Sequence, residues 1–118
     1  MSQSKHDEPQ PEVFTKERKE KLTEKMSELT KKPLELLDLD MNDDMLAEAV
    51  IKADNAIDKF EMEMNMAEYI KKSFDKMFSP PWHVVVGHMY GSSVVHDNGT
   101  FANFILGDMG FLIYRGMS

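Results

Sequence analysis

Three groups of residues in this 118-residue chain have the types from which sites are built. The run Asp38-Leu39-Asp40-Met41-Asn42-Asp43 sets oxygen donors at alternate positions, as the opening of a calcium loop does. Asp43 stands where such a loop needs its glycine, and Ala49 stands where it needs a bidentate glutamate. The same residues suit the start of a helix better, with Asn42 as N-cap and Asp43 and Asp44 in the favourable field of the first turn. His83, His88 and His96 form the second group. His83 and His88 fall on opposite parities of an extended segment, and no carboxylate stands at ligand spacing beside them, so structural or interface roles are expected. A histidine buried between subunits would make assembly sensitive to protonation, because burial disfavours the imidazolium. Ser92 and Ser93, the third group, have no Asp–His pattern and no nucleophile-elbow context. Gly87 and Gly91 lack the lysine of a phosphate loop, and Asn98-Gly99-Thr100, though a glycosylation sequon, reads as a turn. With no cysteine there is no disulfide, thiolate or zinc–thiolate site. The expectation is a binding protein with no enzyme activity, cofactor or metal.

The elements that must position these residues follow from periodicity. Leu34 to Asp40 partly alternates and predicts a short strand. A helix starting at Asn42 carries Leu46, Val50, Ala53, Ile57 and Phe60 at spacings of three to four, a clean core stripe. A second helix, from about Glu63 to Phe78, sets Met66, Ile70, Phe74 and Met77 on one face. Ser79-Pro80-Pro81 ends it, since proline cannot continue a helix and biases the preceding residue out of the α region. Four strands are then predicted: Trp82–Gly87, Tyr90–Val95, Thr100–Leu106 and Met109–Arg115, with tight turns at Asp97-Asn98-Gly99 and Gly107-Asp108. In the last strand Met109, Phe111 and Ile113 share one face while Leu112 and Tyr114 share the other, the pattern of a strand covered on both sides. Two helices followed by an antiparallel sheet make an α+β fold.

Charge divides the chain. Residues 1–33 hold eight Lys/Arg against seven Asp/Glu, and the remainder holds six against fourteen. That acidic remainder should repel nucleic acid and anionic lipid. No signal-peptide core and no run of about 18 apolar residues is present, which predicts a soluble intracellular protein with no membrane insertion. Residues 1–12 lack periodicity and hold two prolines, so disorder is expected there. From Phe14 to Lys32, Leu22, Met26 and Leu29 form only a thin stripe among lysines and glutamates, and a solvated, frayed arm is favoured over a packed helix. The expected division is therefore a charged extension, residues 1–33, largely disordered or partly helical, and a domain, residues 34–118. Met62, Met64 and Met66 cluster at the second helix, one side for the core and the others for a plastic apolar lip. A domain of about 85 residues buries only roughly 60–65% of its unfolded surface. Apolar residues on both sheet faces then favour dimerisation.

The sequence FDKMFSPPWHVVVG, then YGSSVVH, then F-x-x-F-x-LG and a closing apolar strand, resembles the eight-kilodalton dynein light chain family from about Leu34 to Arg115. Trp82-His83, Gly87, Gly91-Ser92, His96, Phe101 and Leu106-Gly107 stand at that family's spacing. The resemblance implies a strand-exchanged homodimer in which Tyr90–Val95 crosses to the partner's sheet. It implies two symmetric grooves in which extended motifs add as strands, and it implies dynein intermediate chain among the partners. The implied groove residues are Glu63, Met64, Tyr90, Gly91, Ser92, Ser93, Val94, Val95, His96, Phe101, Asn103 and Ile105; the implied dimer contacts are His83, Tyr90 and Val94. Cytoplasmic, microtubule-associated or axonemal location would follow. So would the alternative of a structural adaptor of this fold working outside the motor. The family usually has lysine at Met64, tyrosine at Ser93 and Asn103, and threonine at Val95, which implies a shifted partner list. Gly116 replaces a family serine, which removes a phosphorylation point.

Overall fold

The computed structural model describes residues 15–88 and 99–116. In chain order these form α1 (Lys16–Ser27), β1 (Leu34–Met41), α2 (Asp43–Lys59), α3 (Glu63–Phe78), β2 (Trp82–Gly87), β3 (Thr100–Leu106) and β4 (Met109–Arg115). The strands make one antiparallel sheet in the order β1-β3-β4-β2, an α+β fold. The strand expected at Tyr90–Val95 lies outside the described residues.

Local chemistry fixes the element ends. Asn42 accepts the Met45 amide at 2.8 Å and opens α2, with Asp43 and Asp44 in its first turn. Leu106 pairs with Met109, leaving Gly107-Asp108 as a two-residue hairpin turn whose first residue has φ +67°, a conformation that suits glycine. Ser79, just past α3, sits at φ 74°, and the Pro80–Pro81 peptide bond is cis.

The core lies between the helices and one face of the sheet. Leu46, Val50 and Ala53 of α2 and Met66, Ile70 and Phe74 of α3 meet Trp82, Ala102, Phe104, Leu106, Phe111 and Ile113, all buried. Met77, expected in the α3 stripe, is instead 39% exposed. Phe78 takes the place against the core, its ring 5.1 Å from Phe74 and 6.2 Å from Trp82. The last turn thus rotates an aromatic inward, which matches a larger surface to the indole.

The arm before Pro33 departs from expectation. Lys16–Ser27 is a helix, capped by Thr15, whose hydroxyl accepts the Arg18 amide at 3.1 Å. Leu22 and Met26, one turn apart, are buried in the same core as Leu36, Leu39 and Met41 of β1. Leu29 lies beyond the helix end, off that seam, and stays 39% exposed. Ion pairs from Lys25 to Asp43 at 3.1 Å, and from Lys32 to Asp54 and to Asp58, tie the segment to α2. A seam of two residues is too narrow to register as an amphipathic stripe, yet it suffices when the sheet edge supplies the complementary surface.

Candidate functional site

The sheet face turned away from the helices is a partly covered apolar surface among the described residues. By register it carries His83 and Val85 from β2, Leu112 and Tyr114 from β4, and Phe101, Asn103 and Ile105 from β3. Burial alternates along β3, with Thr100, Ala102, Phe104 and Leu106 buried and Phe101, Asn103 and Ile105 half-buried. Leu112 at the middle of this face is buried, whereas Val85 beside it is 45% exposed. The His83 and Tyr114 rings lie 5.2 Å apart. Toward β1 the face turns acidic, since Asp38 and Asp40 stand opposite Asn103 and Phe101. At the other end, β2 pairs only with β4 among the described residues, so its outer edge is open for a further strand.

A corner of the molecule brings α3, β2 and the β3–β4 turn together. Glu63 Oε2 lies 3.8 Å from His88 Nε2, an ion pair whenever the imidazole is protonated. His88 Nδ1 is 3.2 Å from the Asp108 carbonyl oxygen. Met62 is the N-cap of α3 without a side-chain cap bond; its carbonyl accepts the Asn65 amide at 3.0 Å and the Met66 amide at 3.1 Å. Met62 and Met64 are 59% and 72% exposed, while Met66 is buried. Gly87 opposes Gly110, which opposes Ile105, so Ile105 is at this end of the sheet and Phe101, opposite Tyr114, is at the other. Of the expected groove residues, Glu63 and Met64 therefore line the corner and Phe101, Asn103 and Ile105 line the open face. Tyr90, Gly91, Ser92, Ser93, Val94, Val95 and His96 lie outside the described residues. His88 is the corner residue that the sequence did not single out for this place; its parity gave no clue, because it stands beyond the end of β2.

The α3–β2 junction holds the edge strand in position. Asp75 Oδ1 accepts the Trp82 amide at 2.8 Å, and Lys71 donates both to Asp75 at 2.8 Å and to the Trp82 carbonyl at 2.9 Å. Burial pushes the Asp75 carboxyl up, but the hydrogen bonds from Lys71 and the Trp82 amide outweigh it and hold it below the usual carboxylate range. The Lys71–Asp75 spacing, one helical turn before the prolines, is the sequence signal for this clamp. The acidic run before α2 has local work of its own. Asp38 accepts the Leu39 amide at 2.9 Å, Asp40 accepts the Gly99 amide at 3.1 Å, and Asp43 pairs with Lys25.

Comparison with known proteins now decides the family. The model for dynein light chain type 1 matches residues 33–116, from the residue before β1 to the residue after β4. This chain belongs to the dynein light chain family. A dynein light chain of Schistosoma mansoni is 41% identical over 76 residues, which is 64% of this chain and 85% of that one. Two structures, a mercury derivative and a native, of the dynein light chain-like domain of Fasciola hepatica calcium binding protein FhCaBP2 share the fold, with TM-scores of 0.61 and 0.63 at 20% and 21% identity. Those alignments cover 72% and 73% of this chain and 93% of each neighbour. The dynein light chain match begins after α1, so the packed N-terminal helix lies outside the part that the family model describes.

Proposed function

We propose that this chain is a non-catalytic, homodimeric dynein light chain that binds extended segments of other proteins by strand addition. The observation that carries the reading is the open sheet face ending in a β2 edge that has no partner strand among the described residues, with Val85 exposed beside buried Leu112. A second copy's strand on that edge would cover Val85, His83 and Tyr114. The groove so completed would run beside the start of α3, where Glu63 and Met64 stand. Backbone hydrogen bonds supply affinity in such a groove, and side-chain pockets supply choice. Tyr90 and Val94 join His83 as dimer contacts in this reading, and Tyr90, Gly91, Ser92, Ser93, Val94, Val95 and His96 form the strand that ligands extend. The partners are dynein intermediate chain and other proteins with short extended motifs, and the setting is the microtubule cytoskeleton of the cytoplasm or axoneme. Among the described residues no helix is long and apolar enough to cross a membrane.

Sedimentation at micromolar concentration tests the assembly. The native chain is expected as a dimer, and Val85→Lys, which places a charge on the edge strand, as a monomer. A native chain that sediments as a folded monomer refutes the proposal. A second reading, an adaptor of the same fold working outside the motor, is favoured by α1, a packed surface that lies outside the family match. Failure to co-purify with dynein intermediate chain, with the dimer intact, supports that second reading.

A further inference from the structure

We infer that the start of α3 is a selective lip that favours partner segments with an apolar side chain not branched at Cβ, flanked by lysine or arginine, and disfavours acidic ones. The inference rests on the strand-addition reading above and names the partner chemistry of that same groove. Met62 and Met64 bracket Glu63 and expose 59% and 72% of their surface, although neither contributes to the core. Methionine has no branch at Cβ and a polarisable sulfur, so each exposed copy offers an adaptable apolar contact on either side of Glu63. Their surroundings carry one sign of charge. From Phe60 to Ile70 the chain has Glu61, Glu63 and Glu68 and no lysine or arginine. Glu68 is paired with Lys72 at 3.2 Å. Lys59, the nearest cation before the lip, lies over the Tyr69 ring at 5.0 Å from its centroid. Asp108 adds a further exposed carboxylate across the corner, and His88 is the base facing Glu63.

Two effects compete for an arriving charge. The amide end of α3 favours an anion. Glu63 already occupies that first turn, and Glu61 stands just before it. A carboxylate from a partner would therefore meet like charges, whereas a lysine or arginine would meet the two glutamates. The apolar part of the partner residue would be covered by the thioethers and its cationic neighbours by Glu61 and Glu63.

The test uses the full chain and two short synthetic peptides that share a glutamine-centred core. One peptide carries leucine flanked by lysines on the helix side of the core, and the other carries threonine flanked by glutamates. Calorimetric titration is expected to show the leucine–lysine peptide binding about tenfold more tightly. Met62→Gln with Met64→Gln should lower its affinity roughly fivefold per side chain, because partial burial of each thioether is lost. Met64→Lys should narrow or reverse the charge preference. Both positions are exposed in the folded chain, so thermal midpoints should stay near the native value. Equal affinity for the two peptides overturns the lip while leaving strand addition standing. Binding of neither peptide overturns strand addition and the lip with it. If the methionine changes alter sedimentation and leave peptide affinity unchanged, a second copy covers the lip and the inference fails.

Discussion

Replacing Asp75 tests the claim that one carboxylate fixes the edge strand to α3. In the native chain Asp75 accepts the Trp82 amide at 2.8 Å and pairs with Lys71, while Trp82 itself is fully buried. Asp75→Ala leaves that amide without its acceptor, which costs about 1–3 kcal/mol, and leaves the Lys71 ammonium only the Trp82 carbonyl and water as partners. The upper half of this range is expected because the lost bond is charge-assisted. Asp75→Asn keeps an acceptor for the amide and loses only the charge, so about 1 kcal/mol is expected. The assay is urea unfolding at fixed protomer concentration, since any dimer makes apparent stability concentration-dependent. The sign of the pH effect follows from the depressed carboxyl. The unfolded chain binds the proton more readily, so the contribution is complete above the ordinary aspartate pKa of about 3.9 and is lost as pH falls through the lower folded value. Native and Asp75→Asn curves should therefore differ near neutrality and converge in acid. Equal losses in Ala and Asn variants, or a native–Asn gap that persists in strong acid, would refute this account of the junction.

Three further outcomes are expected. Leu22→Ala and Met26→Ala should each destabilise the chain by about 2–5 kcal/mol in the same denaturant assay, because both side chains are buried in the common core; losses below about 0.5 kcal/mol would mean α1 adds nothing. Met62→Ser should raise stability by roughly 0.5–2 kcal/mol by supplying the missing α3 cap, and an unchanged urea midpoint would show that the first turn frays regardless. Lys32 has its pKa raised by hydrogen bonds to Asp54 and then Asp58, so its contribution is present below the ordinary lysine value of about 10.4 and is lost as pH rises through the folded one. Lys32→Met should thus cost up to about 1 kcal/mol near neutrality, with the gap closing in alkali; a gap that widens there would contradict the pairing.

What the sequence determined by itself was local. Asn42 with its trailing acids set the start of α2, the paired prolines stopped α3, and Gly107-Asp108 set the β3–β4 hairpin. These three depend on backbone preferences that a short window displays, whereas the open face of β3 at Phe101, Asn103 and Ile105 followed from the family resemblance. The spacing from Trp82 to Gly107 was specific enough to point to the family. Only the tertiary structure decided that Leu22 and Met26 are buried, because two apolar residues in a charged helix acquire meaning from the β1 surface they meet. It alone exchanged Met77 for Phe78 at the indole, and it alone carried His88 from the end of one strand to the glutamate of a distant helix. Those contacts join residues far apart in the chain, and no local period records which surfaces will face each other.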